Sequence, residues 1–184
     1  MSDLQYRTYE PDLEIKPRSK GGDGRTLYGI MVPWRRPIEV PSERIREQFA
    51  PGAFNHQERA ADKIRLANEH IKRGGTLIGR LLFMRNDAAG EYGEARVART
   101  DKGDETLALV EDGALREWSV GFFERQNRKI GGGIIERVTA DLREVAVTMA
   151  GAYGELAAVA GVRSLDDDPV TRNLDQARQL LAGL

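Results

Sequence analysis

Residues 118–122 read Trp-Ser-Val-Gly-Phe and alternate large apolar side chains with small ones. A β-strand satisfies this period of two, whereas a helix would scatter the same side chains around its axis. On a pleated strand, Ser119 shares a face with Gly121 and points away from Trp118. Glycine inside a strand often marks a place where another backbone or a ligand comes close. A hydroxyl beside such a gap is a candidate nucleophile, although most strand serines have no chemical role.

Other short alternating segments outnumber the helical ones along the chain. We predict helices at 52–63, within the segment 101–118, where Asp104 can be the N-cap and Gly113 is a possible C-terminus, and at 171–184, and one helical turn at 41–44. Strands are predicted at 6–15, 25–34, 63–70, 76–87, 91–100, 115–125, 134–139 and 142–148. Because consecutive strands dominate, we expect an α+β fold, with an antiparallel, barrel-like β-sheet core flanked by a few helices.

Length and composition indicate one domain followed by a short tail. A chain of 184 residues is long enough for one domain with a real core. We assign residues 1–163 to this domain and residues 164–184 to a linker and a short C-terminal amphipathic helix. The linker has three aspartates before Pro169, and the helix presents Leu174, Ala177 and Leu181 on one face. This apolar face predicts self-association.

Composition also excludes several classes of function. The 28 basic and 29 acidic residues give a net charge of −1, so nucleic acid is not expected as a partner. The absence of cysteine excludes disulfides, thiol catalysis and thiolate metal sites, and it fits an intracellular location. The polar N-terminus is not a signal peptide, and no apolar run approaches the length that spans a membrane. No membrane partner is expected.

A serine nucleophile needs a base, and the base needs an acceptor on its other nitrogen. Of the two histidines, His70 is the better candidate because it ends a predicted strand beside a Gly-rich loop. His56 lies on a predicted surface helix and is expected to be solvated. Glu144 interrupts an apolar strand and could orient the base, although its pattern alone favours a solvent-facing carboxylate, and Glu69 is the local alternative. We expect His70 and Ser119 to lie on adjacent strands and within hydrogen-bond reach.

Several short motifs follow one another in an order that is more specific than any one of them. The motifs are "GIMVPW" at 29–34, "EQFAPGAF" at 47–54, "LANEH" closing on His70, "LIGR" at 77–80, "EWSVGF" around Ser119, and "LREVAV" with Glu144. In these motifs the chain resembles the prohead, or capsid-maturation, proteases of tailed bacteriophages of the Hong-Kong-phage type, whose fold is similar to herpesvirus assemblin. The resemblance covers roughly residues 25–163.

The resemblance implies an assemblin-like fold and a role for each candidate residue. Ser119 would be the nucleophile, His70 the general base and Glu144 the third member of the triad. On chemical grounds alone, backbone N–H groups at the turn 131–133 or near Arg125 are candidates for an oxyanion hole. No cofactor is implied, and one credible histidine without cysteine does not make a zinc site of usual composition.

The function implied by the resemblance is that of a serine endopeptidase inside an assembling procapsid in the host cytoplasm. It would cleave the scaffolding segment of the major capsid protein and its own termini. The alternative is a non-catalytic capsid assembly or scaffolding module on the same fold. An unrelated small β-barrel binding domain is a further alternative, and in such a domain His70 and Ser119 would be far apart.

Overall fold

The computed structural model describes residues 5–9, 14–15, 23–40 and 43–149. One α-helix, α1 (Asp101–Asp112), and three 3₁₀ segments, Asn55–Lys63, Ile71–Arg73 and Gly131–Gly133, lie within these residues. The strands in chain order are β1 (Gln5–Tyr9), β2 (Glu14–Ile15), β3 (Thr26–Pro33), β4 (Ile38–Val40), β5 (Ile45–Phe49), β6 (Arg65–Asn68), β7 (Thr76–Asn86), β8 (Gly90–Val97), β9 (Glu117–Ile130) and β10 (Ile134–Thr148).

The strands form one sheet that curls into a half-barrel. Their order is β1-β9-β10-β6-β7-β8-β3-β2, with β5 paired to β10 and β4 paired to β5. Although β3 stands near the opposite end of this order, it contacts both β1 and β9, so the two ends of the sheet approach each other. The predicted α+β class with a curled sheet is confirmed.

The sheet is mixed, so the prediction of an antiparallel sheet is only partly right. β9 and β10 form a long antiparallel hairpin, but β10 runs parallel to both β5 and β6. Parallel neighbours require a crossover connection, and the connection from β6 to β10 contains β7, β8, α1 and β9. Local alternation identifies most of the strands, although β4 and β5 were not predicted, and it does not indicate which distant strand becomes a neighbour.

The large apolar side chains of β9 pack into the core. Trp118, Val120 and Phe122 are fully buried, as their alternation predicts. The ring of Phe122 meets that of Phe49 edge-on, with 4.9 Å between the ring centroids. Burial of each such side chain stabilises the fold by about 1.5–3 kcal/mol. β9 is therefore fixed from one side and presents Ser119 on the other.

Three predicted elements have different bounds in the structure. The predicted strand at 6–15 corresponds to two separate strands, β1 and β2. The two strands predicted at 134–139 and 142–148 are one continuous strand, β10, because its irregularities are bulges rather than a turn. Residues 43 and 44 belong to the turn between β4 and β5 instead of a helical turn.

The helix predictions need a smaller correction. The N-cap of α1 is Thr100 and not Asp104, because the Thr100 hydroxyl accepts a hydrogen bond from the N–H of Gly103. Gly113 ends the helix as predicted, with a left-handed φ of 79°. The predicted helix at 52–63 is a 3₁₀ segment that begins at Asn55. The boundary at residue 163 and the helix at 171–184 lie outside the described residues and stay predictions.

One buried carboxyl group in β8 makes the stability of the fold depend on pH. Glu91 is fully buried, and neither of its oxygens has a hydrogen-bond partner among the described residues. Burial, followed by the negative charge of Glu58, raises the pKa of Glu91 to about 8. The folded state therefore retains a proton that the unfolded chain loses near pH 4.3. As a consequence, this group destabilises the fold progressively as pH rises from about 4.5 to about 8.

A Glu91→Gln variant should lose this pH dependence. At pH 8.5 we expect the free energy of unfolding to exceed that of the unchanged protein by several kcal/mol, because each unit of pKa shift corresponds to about 1.4 kcal/mol. At pH 4.5 the two proteins should be nearly equal. Urea unfolding at both pH values measures the difference. Glu94→Gln is the matched control, since Glu94 is only partly buried and accepts a hydrogen bond from Tyr92; an equal gain in both variants would contradict the assignment.

Candidate active site

Ser119 lies in the middle of a layer of three strands. It is opposite Ala146 of β10 on one side and opposite Thr8 of β1 on the other. Only 1% of Ser119 is exposed. As predicted, it shares a face with Gly121. That glycine is required, because a Cβ there would stand 2.9 Å from the ring of Tyr6.

His70 is held by a tight loop at the end of β6. Glu69, the residue before it, has a left-handed φ of 57°, which non-glycine residues seldom adopt and which turns the chain out of the strand. The loop closes because the N–H groups of Arg73 and Gly75 both donate to the His70 carbonyl oxygen, at 2.8 and 3.0 Å. A side chain at Gly75 would collide with the Glu69 carbonyl, because its Cβ would lie 2.2 Å from that oxygen. The backbone of this loop therefore fixes the imidazole.

Glu144 is buried, contrary to the solvent-facing position that its sequence pattern favours. Only 4% of it is exposed. The register between β9 and β10 shifts between Leu142 and Glu144, which places a bulge at Arg143. A bulge re-aims the side chains that follow it. Here it brings Glu144 opposite Gly121 on the face that carries Ser119.

The structure brings the three predicted side chains together in series. Glu144 Oε1 lies 2.8 Å from Nδ1 of His70, and Nε2 of the same ring lies 2.5 Å from Ser119 Oγ. The N–H of Ile71 also donates to Glu144 Oε1, at 3.3 Å. An ionised carboxylate accepts only, so the ring proton lies on Nδ1, and Nε2 can accept the proton of the hydroxyl. The expectation of adjacent strands is wrong, however, because β10 and Glu144 lie between β6 and β9.

The alternative orienting carboxylate does not contact the imidazole. Glu69 accepts a hydrogen bond from the N–H of Met149 at 3.4 Å, at the end of β10. The left-handed backbone of Glu69 turns the chain toward His70, but its carboxylate contacts the Met149 N–H and not the imidazole. Glu144 is therefore the carboxylate in the site.

The second histidine forms a separate pair, so the expectation that it is simply solvated is wrong. His56 Nε2 lies 2.8 Å from Asp141 Oδ1, and Arg125 donates to the same oxygen at 2.6 Å. Burial alone would raise the pKa of Asp141, but the hydrogen bonds from His56 and Arg125 outweigh it and hold that pKa below its usual value. The sequence separation of 85 residues hides this pair from any local pattern.

Neither candidate for an oxyanion hole lies near the nucleophile. The turn Gly131–Gly133 follows the far end of β9, eleven residues beyond Ser119, or roughly 35 Å of extended strand. Arg125 lies six residues beyond Ser119 on the same strand, or roughly 20 Å of extended chain, so the N–H groups beside it are also distant. Both candidates are therefore wrong, because β9 extends to Ile130, beyond the predicted strand end at 125, and leads away from the nucleophile.

Two residues of β1 contact the site although the sequence did not predict them there. The Tyr6 ring packs against the imidazole of His70, with 4.1 Å between the ring centroids and a tilt of 49°. Burial, then the charge of Glu144, raise the pKa of the Tyr6 hydroxyl, and Arg73 opposes them. The carbonyl oxygen of Arg7 lies 3.0 Å from Ser119 Oγ. The weak alternation of this segment predicts a strand but gives no sign of where it pairs.

In the part of the chain that the structure describes, no helix is long and apolar enough to cross a bilayer. The same residues contain no group of three or more His, Asp or Glu side chains placed to hold a metal ion.

A serine hydroxyl, an imidazole and a carboxylate joined in series are the arrangement that serine hydrolases of the triad type share, whatever their fold. Comparison with protein-family models gives the particular family. Residues 13–168 match the model of the caudovirus prohead serine proteases, and the chain belongs to that family. The resemblance drawn from the motifs is confirmed.

A solved structure supports the same fold. The bacteriophage T4 capsid assembly protease, gp21, matches with a TM-score of 0.55 and 14% sequence identity, over 80% of this chain and 98% of that chain. At this identity the match concerns the fold alone. A search of curated proteins finds no match.

Proposed function

We propose that this chain is a serine endopeptidase that processes the scaffolding segment of a major capsid protein, and its own termini, inside an assembling procapsid in the host cytoplasm. The observation that carries this proposal is the continuous chain of contacts from Glu144 through His70 to Ser119. Membership of the prohead protease family supports a capsid protein as the partner. Self-association through the apolar face of the helix predicted at 171–184 is part of the same proposal.

The geometry supports an acyl-enzyme mechanism. Ser119 Oγ forms a bond to the carbonyl carbon of the substrate while its proton moves to Nε2 of His70. Glu144 stabilises the imidazolium and keeps the other ring proton on Nδ1. The carbon–nitrogen bond then breaks, and the leaving amine takes the proton from Nε2. Water attacks the resulting ester by the same route in reverse, which releases a carboxylate and restores the hydroxyl.

Co-expression with the capsid protein that this chain assembles with tests the proposal. Mass spectrometry of the assembled particles should find capsid subunits that lack the scaffolding segment, together with shortened forms of this chain. Capsid subunits that keep their full mass in the presence of this folded chain would contradict the proposal and favour the non-catalytic assembly module.

Replacement of Glu144 by glutamine should slow capsid cleavage by about 10⁴-fold, the loss expected when a triad carboxylate becomes an amide. A glutamine here cannot stabilise the imidazolium by charge, and its NH₂ group can drive the ring proton onto Nε2, where it blocks acceptance of the hydroxyl proton. The time course of subunit mass measures the effect. Glu69→Gln is the matched control, and its rate should stay within about twofold of the unchanged protein, since the half-buried Glu69 carboxylate does not contact the imidazole and an amide oxygen can still accept from the N–H of Met149. Similar losses of cleavage rate in both variants would show that a general disturbance of this region, rather than loss of the Glu144 carboxylate, slows cleavage.

A further inference from the structure

β1 lies along the nucleophile strand like a bound peptide. It is the terminal strand of the described sheet and pairs antiparallel with β9, with Thr8 opposite Ser119 and Tyr6 opposite Gly121. The family match begins only at residue 13, so β1 precedes the segment that defines the family. An extended peptide that adds a strand to a sheet edge is a common mode of peptide recognition.

The peptide group of β1 that faces the nucleophile belongs to Arg7. Its carbonyl oxygen lies 3.0 Å from Ser119 Oγ. A serine nucleophile attacks the carbonyl group that lies beside it, which here is the one before the Arg7–Thr8 bond. A hydroxyl has one proton, so Ser119 cannot donate to this oxygen and to Nε2 of a His70 protonated on Nδ1 at the same time. β1 therefore covers the hydroxyl and also competes for its proton.

The side chain of Arg7 enters a buried acidic pocket on the opposite face of the sheet. Its Nε donates to Glu47 Oε1, and its Nη2 lies 3.3 Å from Glu47 Oε2 and 3.0 Å from Glu43 Oε1. Glu47 is fully buried, and only 6% of the Arg7 side chain is exposed. The guanidinium contacts both oxygens of one carboxylate. Lysine, glutamine and apolar side chains cannot make this bidentate contact.

The charge of this pocket is negative when Arg7 is left out. Glu47 also pairs with Arg137, whose Nη2 lies 2.6 Å from Oε2, and Arg137 pairs in turn with Glu124. Three carboxylates (Glu43, Glu47 and Glu124) against one guanidinium (Arg137) leave −3 + 1 = −2. A depression of about 460 Å³ opens beside the pocket; Glu43, Glu124 and Arg137 line it together with Arg128 and Lys129, so the negative charge is concentrated at the carboxylates that contact Arg7. The pocket therefore favours a cationic side chain.

The residue before Arg7 contacts the catalytic face. Tyr6 lies against the imidazole of His70 and covers Gly121, where a larger residue would collide with the ring. The guanidinium carbon of Arg73 lies 5.6 Å from the centroid of the same tyrosine ring. A flat aromatic side chain fills this space.

We infer that β1 occupies the substrate position of this chain, and that its substrates are extended peptides with arginine on the amino side of the cleaved bond and an aromatic residue before it. Glu47 and Glu43 select the arginine, and Gly121 makes room for the aromatic ring. This inference rests on the proposed endopeptidase function for the cleavage step, but the strand site and its acidic pocket can be tested by binding alone.

Peptide binding by full-length variants in which Ser119→Ala prevents cleavage tests the inference. An added Arg7→Glu substitution places a third carboxylate beside Glu43 and Glu47 and should expel β1 from β9. The probes are fluorescein-labelled peptides with the sequences QYRTY and QYETY between Gly-Ser spacers, followed by fluorescence anisotropy. The Ser119→Ala/Arg7→Glu chain should bind QYRTY at least about tenfold more tightly than QYETY, and at least about tenfold more tightly than Ser119→Ala alone binds it.

Ser119→Ala/Arg80→Glu is the matched control, because it makes the same charge change at an exposed arginine outside the pocket. Circular dichroism checks folding, and Arg7→Ala replaces Arg7→Glu if the latter does not fold. Equal binding of the two peptides, or no binding by the folded variant, would overturn the inference. With Ser119 present, cleavage of both peptides alike in the Arg7→Glu chain would also overturn it and leave the protease function standing. Selective binding without cleavage of either peptide would support the inference and contradict the proposed protease function.

Discussion

In a Ser119→Ala variant, we expect procapsids to assemble while their capsid subunits remain uncleaved. Loss of Oγ leaves His70 with no group to deprotonate, and in triad proteases loss of the serine lowers kcat by about 10⁶-fold. Ser119 is 1% exposed, and its hydroxyl contacts His70 and the Arg7 carbonyl, so the substitution removes a few atoms without opening the core. Mass spectrometry of purified particles measures the subunit mass.

The control for this variant is Thr148→Val, which removes another buried hydroxyl from the same group of strands. Thr148 lies on β10, is 5% exposed, and its hydroxyl has no hydrogen-bond partner among the described residues. Its replacement should leave cleavage unchanged. Cleavage that persists in Ser119→Ala at a rate within tenfold of the unchanged protein would show that Ser119 is not the nucleophile. Failure of both variants to assemble particles would instead indicate a general loss of folding, which thermal unfolding detects.

The parts of the fold that depend on local pattern could be predicted from the sequence. Alternation in β9 predicted both its buried face and the position of Ser119 beside Gly121, because the period of a strand fixes which side chains share a face. No local sequence pattern indicates which distant strands pair with each other. The parallel contacts of β10 with β5 and β6 join segments that are far apart in sequence, so the antiparallel sheet was the simplest expectation but was not the correct one.

The same limit explains which parts of the site could be predicted. His70 was recognisable because it ends a strand beside a Gly-rich loop. The position of Glu144 depends on a bulge, which shifts the face of a side chain without leaving a mark in the hydrophobic pattern. Glu47 and Arg137 look like solvent-facing charges of two strands, yet both are almost completely buried because they pair with each other across 90 residues. Charges that neutralise each other only in three dimensions cannot be identified from alternation.

Replacement of His70 by alanine should abolish capsid cleavage, whereas replacement of His56 should preserve it. His70 is the group that accepts the Ser119 proton, and loss of the base in a triad protease costs about 10⁶ in kcat, as much as loss of the nucleophile. His56 is partly exposed and pairs with Asp141, which keeps Arg125 as a partner when the imidazole is removed. Although Asp141 is nearly buried, its ion pair with Arg125 remains after the substitution, so we expect the fold to be retained.

These two substitutions control each other, because the sequence contains only these two histidines. Both variants lose an imidazole that is hydrogen-bonded to a carboxylate of β10, and only one of the two imidazoles also contacts a serine hydroxyl. A difference in cleavage rate therefore isolates the contact between Nε2 of His70 and Ser119 Oγ from the general effect of removing a histidine–carboxylate pair. Equal loss of cleavage in the two variants, at equal thermal stability, would mean that His70 is not the base. Equal loss accompanied by a lower unfolding temperature of His56→Ala would show that the His56–Asp141 pair supports the strand that carries Glu144.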